Sequence, residues 1–600
     1  MQCPTQFDGP LARFRSAVAT RVSSVAGVYV TALRATNYRN LNATVGLCHP
    51  LAVVVGENNA GKSNVIDALR TLLEPEAGPR GRCWLREEDF AHDGYGVRIA
   101  DELELEVWLG GLDAAAQARM VTSLAPKAGA GIAKLRLKAT LGTTGRIETE
   151  WFGGDSEQAD LERHARDAVR FVYLPPLRDA AADLRPGRDN KLIPFLRALA
   201  PPDHPDHQAI VNAAQLANAA LDQITTIAQA RSLVADRLDA MTGQGRFAQH
   251  SGLAFEDAKF ERAVGALRAK IGQLAALEMD ENGLGYNNLL YMSVLLAAIA
   301  DAPPEDEEPT LRVLLVEEPE AHLHPQLQDL LMRFLDTEAA GATQVIVTTH
   351  SPMFAASARV ERLTVLARDE DGQPVARLPR EFGLESKQLA YLRRFLDVTK
   401  ASLFFARAVI LVEGVAEQLL MPVIAERLGR PLAPNGVAVI NIGGVAFPPF
   451  TDLFGADKLP YRLAVVSDSD SQPSEEELDG EDEALSPRAA ALVARAGDNI
   501  RVHLAQKTLE WDLAMAGNRD VMLIALAQVK PIAGPRLAAT IAGAGTNEGA
   551  DAILAKVKDV KGRFAQELAE LFADQKTPLQ VPTYLQQAIE WVTEAPADGG

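Results

Sequence analysis

The run Gly56-Glu57-Asn58-Asn59-Ala60-Gly61-Lys62-Ser63 constrains this 600-residue chain more than any other feature. It fits the pattern G-x-x-x-x-G-K-[ST] and follows a short Val-rich apolar stretch, Leu51 to Val55, that reads as a buried strand. Helical spacing then runs from about Lys62 to Leu73 and stops in the Pro75 and Gly78 region. A strand, a glycine turn and a helix in that order aim backbone N–H groups and a helix N-terminus at one point, which is a phosphate site. Gly56, Asn58, Asn59 and Gly61 are expected to shape the loop. Lys62 is expected to reach the β- and γ-phosphates of ATP, and Ser63 to ligate one magnesium ion.

Three further elements fit the same chemistry. Val313-Leu314-Leu315-Val316 is an apolar strand ending in Glu317 and Glu318. Glu317 is expected to hold magnesium, directly or through water, and Glu318 to polarise the attacking water. Aspartate is usual at the first of these positions, and glutamate is one methylene longer. His350 ends the strand QVIVTTH and is expected to sense the γ-phosphate, whereas His322 and His324 in AHLHP suit a helix start or an interface. Gly283-Leu284-Gly285-Tyr286-Asn287-Asn288 opens the apolar helix LLYMSVLLAAI ahead of the acidic strand, where an ABC signature sits. In that role Gly285 and Asn288 would clamp ATP held by a second subunit, so the nucleotide site requires a homodimer.

A second set of residues is acidic. In AVILVEGVAEQLL, Glu413 ends a strand and Glu417 lies in the first turn of the next helix, where four residues rise only about 6 Å. In LAVVSDSD, Asp468 and Asp470 share one side of extended backbone, about 6.6 Å apart. Hard oxygen ligands of this kind suit Mg²⁺ or Mn²⁺. Glu510 and Asp512 in KTLEWDLA are candidates for a second metal, and Lys561 in VKGRFAQELA for stabilising charge on a scissile phosphate. Two cations about 3.5 to 4 Å apart would support in-line phosphodiester hydrolysis. A topoisomerase would need a nucleophilic tyrosine, and none of the nine tyrosines has a context that argues for one.

The pattern divides the chain into an ATPase part over 1–180, a helical insertion over 181–275, a second ATPase part over 276–398 and an α/β domain over 399–600. ELELEVWL, KLRLKATL and RIETEWF alternate as antiparallel strands, and FVYL (171–174) reads as a buried strand. The stretch from Val28 to Leu41 also alternates as a strand does. The insertion, with segments such as DQITTIAQARSLVADRLDAM, is expected to serve dimerisation. A net charge of -20 and a pI near 5.1 argue against a surface coated for nucleic acid, but acids are concentrated at Glu305 to Glu308 and Glu475 to Glu483. Any DNA track is then a local, salt-sensitive basic groove. Three scattered cysteines give neither a disulfide framework nor a zinc site. The absence of a long apolar run or a secretory-type start leads us to expect a soluble cytoplasmic chain without membrane contact, its EAPADGG tail unstructured.

Together GENNAGKSN, EEPEAHLHP and VTTHSP resemble the ATPase half of the overcoming-lysogenization-defect (OLD) nucleases and, more distantly, RecF and SMC-type ATPases. YLPPLRDA (173–180), with Arg178 and Asp179, looks like the same family. The two acid sets resemble a Toprim domain, and the Glu510 and Lys561 segments its OLD-type extension. The resemblance implies an α/β chain: an ABC-type P-loop ATPase with an inserted helical dimerisation domain, followed by a C-terminal Toprim α/β domain. It implies an ATP-regulated, divalent-metal-dependent DNA nuclease of antiphage defence or DNA processing, with a helicase partner in one branch of the family. Glu318 and His350 would serve ATP hydrolysis; Glu413, Asp468 and Lys561 would serve cutting. Two Mg²⁺ or Mn²⁺ ions would sit among Glu413, Glu417, Asp468, Asp470, Glu510 and Asp512, and a third ion with ATP at Ser63 and Glu317. The alternative is a RecF-like ATP-dependent DNA clamp whose Toprim fold only binds, but such a clamp has no need for the full acid set.

Overall fold

The protein is described from a computed structural model over residues 27–48, 50–74, 85–93, 95–158, 169–176, 183–187, 190–242, 253–272, 277–300, 311–339, 343–369, 372–444, 446–469 and 486–594. Asp470, Arg178, Asp179 and both acidic runs lie outside the described residues. In chain order the first strands are β1 (Tyr29–Tyr38), β2 (Leu41–Gly46) and β3 (Leu51–Gly56), followed by helix α1 (Lys62–Leu73). Next come β4 (Glu102–Gly110), β5 (Ala133–Leu141), β6 (Ile147–Gly153) and β7 (Val169–Leu174), then α2 (Pro205–Asp222), α3 (Thr225–Thr242) and α4 (Leu284–Ala300). The chain continues through β8 (Leu311–Glu317), α5 (Pro325–Ala339), β9 (Thr343–Thr348), β10 (Leu363–Arg368) and β11 (Pro374–Arg377). The last part includes β12 (Ala408–Val412), α6 (Val415–Arg427), β13 (Val437–Asn441), β14 (Arg462–Ser467), α7 (Pro487–Val493), β15 (Ile500–Leu504), α8 (Leu509–Leu513) and α9 (Lys561–Ala573), with a further helix over Thr583–Thr593.

An antiparallel sheet in the order β2-β1-β4-β5-β6 carries the alternating segments, and β5 buries every second residue as its sequence requires. The alternation from Val28 to Leu41 is not one strand. Asn37 and Arg39 take positive φ values of 55° and 50°, and the chain folds back there as the β1–β2 hairpin. A second, mainly parallel sheet has the order β11-β10-β3-β9-β8-β7. Its inner strands β3, β8 and β9 are buried on both faces, which explains their unbroken apolar runs. FVYL, expected to be buried, is only half-buried, because β7 is the edge of that sheet. A third sheet, in the order β13-β12-β14-β15, is all parallel, with β12 fully buried. Helices α6 and α9 pack into its core through Leu420, Ile424, Phe564 and Leu568.

The chain forms two compact units. One holds the three sheets described above; the other, with a two-stranded sheet of its own, runs from Leu174 to Pro309 with Ala321–His324, wider than the 181–275 insertion that composition suggests. Within the second unit α2 and α3 bury no residue at all, and Leu216, Leu233 and Met241 are 72%, 63% and 77% exposed. Among the described residues no helix is long and apolar enough to cross a membrane.

Gln344 on β9 ties the antiparallel sheet to the parallel one. Its Oε1 accepts from the Val30 N–H at 2.7 Å, and its Nε2 donates to Val30 O at 2.9 Å and Cys48 O at 3.4 Å, all buried. Gln344→Leu would strand these backbone groups and lower stability by about 2 kcal/mol or more. A urea midpoint equal to that of the parent chain would refute this assignment.

Candidate functional site

The nucleotide site lies at the carboxyl ends of β3, β8 and β9. Gly56 takes a φ of 152°, and a Cβ there would come within 2.3 Å of the Leu366 carbonyl oxygen, so only glycine fits. Asn59 and Gly61 hold φ values of 66° and 94°, which curl the loop back onto α1. Lys62 is 3% exposed, and its Nζ donates to Gly56 O at 2.8 Å and Glu57 O at 2.7 Å. Burial lowers its pKa to about 8, against the pull of Glu318 and Glu57.

Across the loop, Glu317 is hydrogen-bonded to Ser63 and accepts from Tyr173 Oη at 2.8 Å, and burial raises its carboxyl above the usual range. Glu318 sits at a positive φ of 45°. That strained backbone carries its carboxylate to within 3.1 Å of His350 Nε2, while His350 Nδ1 lies 2.8 Å from Asn58 Oδ1. The expected residues Asn58, Lys62, Ser63, Glu317, Glu318 and His350 therefore face one loop. Two partners carried no motif signal. Tyr173 bonds Glu317, and Glu320 accepts from Thr349 Oγ1 at 2.7 Å and the His350 N–H at 2.8 Å.

Gly285 and Asn288 belong to the other unit. A Cβ on Gly285 would stand 2.6 Å from His322 O, and Asn288 is 2% exposed, its amide directed at Ala321 O. Here Asn288 seats the start of α4, and Leu284 and Tyr286, 56% and 47% exposed, are open side chains of that turn.

The second site lies at the carboxyl ends of β12 and β14. Glu413 Oε2 accepts from Ser467 Oγ at 2.9 Å, and its Oε1 receives Arg488 Nη2 at 3.0 Å. Glu417 caps its own helix, accepting from the Gly414 N–H at 3.1 Å. Burial, then the Glu510 charge, holds its carboxyl above the usual range. Asp468 is pushed up to about 8 by burial and by the charges of Glu417, Glu413 and Glu510. Glu510 is 2% exposed, and Lys561 Nζ stands 3.1 Å from its Oε2 as a charged hydrogen bond and ion pair. Lys561 is drawn down by burial but held above its usual range by Glu510, Asp468 and Glu417.

A buried carboxylate crowded by other acids, with one lysine against their combined charge, fits a divalent cation. Among the described residues no three acids are close enough to form a finished cage. Asp512 does not fit the ligand role expected of it. Its two oxygens accept from the Gln506 and Lys507 N–H groups at 2.7 and 3.2 Å, so it clamps the turn before α8.

One ion pair joins the glycine loop to the amino-terminal end of β12. Glu57, inside the glycine loop, meets Arg407 Nε at 2.7 Å and Arg368 Nε at 3.5 Å. Arg407 immediately precedes β12, the strand that ends at Glu413.

The depressed Lys62 pKa has a consequence for binding. Phosphate favours the charged amine, so ATP binding above pH 8 takes up a proton, and affinity falls as pH rises, by up to about tenfold per unit. Calorimetry at pH 8.5 in buffers of different ionisation enthalpy reads that uptake. Its persistence in Lys62→Met would refute the assignment.

Comparison with known proteins now bears on both sites. A family model described as an AAA ATPase domain matches residues 244–355, which include Glu317, Glu318 and His350. One described as the overcoming lysogenization defect protein-like TOPRIM domain matches residues 404–470, which include Glu413, Glu417 and Asp468. The chain is 26% identical over 519 residues to the OLD nuclease of Thermus scotoductus, covering 81% of this chain and 92% of that protein. It is 23% identical to the endonuclease GajA of Bacillus cereus, over 34% of this chain and 33% of that one. The solved C-terminal region of the Burkholderia pseudomallei OLD protein aligns at 25% identity and a TM-score of 0.26, covering 32% of this chain and 100% of that one. The chain is accordingly a homologue of the OLD proteins, with an ATPase domain and an OLD-like Toprim domain on one polypeptide.

Proposed function

We propose that the protein is an ATP-regulated DNA nuclease whose Toprim acids use divalent cations. The observation that carries this is the acid cluster itself: Glu417, Asp468 and Glu510 gather around Lys561, the charge of Glu413 reaches Asp468, and Glu510 is buried with Lys561 as its counter-charge. A protein that only bound DNA would gain nothing from placing four carboxylates where a phosphate has to approach. The names of the relatives, an OLD nuclease and an endonuclease, point the same way.

Glu413, Asp468 and Glu510 would hold the cations, with Glu417 beside them and Asp470 as a further ligand from the sequence pattern. Two such ions would activate a water and stabilise the leaving oxygen. Lys561, half-exposed at the start of α9, would meet the charge that develops on the scissile phosphate. Ser467 orients Glu413, and burial keeps bulk water from screening the group. Incubation with supercoiled plasmid and Mg²⁺ or Mn²⁺ tests this. Glu413→Ala and Asp468→Ala are expected to cut roughly a hundredfold more slowly or worse, and cutting that persists in both would sink the metal assignment.

For regulation, the support is the Glu57–Arg407 ion pair. Lys62 leaves the Gly56 and Glu57 carbonyls when phosphate enters, and the loop residue it releases is tied to the root of β12. A homodimer is the further element, because α4 carries a signature-like turn and the α2–α3 pair leaves its large apolar residues exposed. Antiphage defence or DNA processing is the physiological setting that the relatives suggest. Arg407→Ala is expected to keep ATPase and basal cutting while shrinking the change in cutting that ATP produces. An unchanged ATP effect would count against the link, and light scattering of the same samples with and without ATP would count against the dimer if it reads one chain.

A further inference from the structure

The acid site holds a second cation, Arg488, to which neither the sequence motifs nor the family matches give a part. Its Nη2 lies 3.0 Å from Glu413 Oε1, and the side chain is 41% exposed. The bland account is an ion pair that fastens α7 to the end of β12. The structure argues against it in two ways. Helix α7 is already anchored without Arg488: Ser486 Oγ accepts the Ala489 N–H at 3.2 Å, and Ala489 and Leu492 are buried. A partly exposed ion pair is also worth at most about 1 kcal/mol, too little to explain a guanidinium on the acid that ends the central strand.

We propose that Arg488 is a phosphate-binding residue of the nuclease site, held on Glu413 until DNA arrives and then transferred to the scissile phosphodiester. This rests on the nuclease reading above. Glu413 has one oxygen engaged by Ser467 and the other by Arg488. A divalent cation that takes Glu413 therefore competes with a guanidinium for the same oxygen. Displaced from that carboxylate oxygen, a permanently charged planar group can grip a phosphate with two parallel N–H bonds. Lys561 is paired in the same way with Glu510. The two cations are thus stored on two carboxylates that a metal would claim, and both side chains are 41% exposed. No bond is made or broken in this exchange; one ion pair replaces another.

The test pairs a binding measurement with a kinetic one on the full chain. Mn²⁺ titrated calorimetrically without DNA is expected to bind Arg488→Ala several-fold more tightly than the parent, because the competitor is gone. The same variant is expected to cut plasmid roughly tenfold or more slowly at saturating Mn²⁺, the loss falling in kcat. Arg488→Lys, with the charge but not the planar fork, should recover Mn²⁺ competition and only part of the rate. A purely structural arginine would instead weaken Mn²⁺ binding along with activity. Unchanged or weaker Mn²⁺ binding in Arg488→Ala, or an unchanged kcat, overturns the proposal while parent cutting stands. A parent chain that cuts nothing would strike the nuclease reading, a separate failure.

Discussion

A parallel strand buried on both faces can offer polar chemistry only where it ends, and this constraint organises both sites. β3, β8 and β9 are apolar along their length and deliver Gly56, Glu317 and Thr348 at one rim. β12 and β14 do the same for Glu413 and Asp468. Helices that start at those rims, α1 with Lys62 and α6 with Glu417 in its first turn, add N-terminal N–H groups to each crevice. A nucleotide loop and an acid cluster are thus two uses of one geometry.

The two rims differ in the sign of what they bury. In the nucleotide loop a buried amine is left to two carbonyls, and its pKa falls. In the Toprim rim buried acids crowd one another, and Asp468 rises to about 8. Each is an incomplete charge balance that a ligand of opposite sign would complete: phosphate for Lys62, a divalent cation for the acids. Lys561 and Arg488 offset part of the acid excess, and both sit where DNA phosphate would also be attracted.

The Glu57–Arg407 pair ties the nucleotide rim to the amino end of β12, the strand whose far end leads into Glu413. Arg407 also donates its backbone N–H to Gly436 O at the foot of β13, so a shift of the side chain acts on a residue held within the third sheet. The pair is worth little as stability, Arg407 being 72% exposed. Its value is positional, since one partner lies inside the loop that phosphate rearranges.

Much was legible in the amino-acid order because the decisive features are local. The strand, loop and helix around Gly56 to Ser63 follow from a run of valines, glycines that tolerate positive φ, and a helical period; the acids at 413 and 468 follow from apolar strands, and that at 510 from the resemblance of its segment to the OLD-type extension. Local pattern could not foresee the hairpin at Arg39, because alternation continues through it and only the positive φ of two residues breaks the strand. Nor could it separate Glu510 from Asp512, two residues apart on one short helix. Only the folded backbone brings the 506–507 N–H groups to Asp512 and leaves Glu510 with none. Tyr173 on Glu317, Arg488 on Glu413 and Arg407 on Glu57 join positions 144, 75 and 350 residues apart. Sequence by itself determined which chemistries the chain carries, since these depend on residue type and short spacing. Tertiary structure alone decided which charged groups answer one another, because Coulomb and hydrogen-bond partners are chosen by distance in space and by burial.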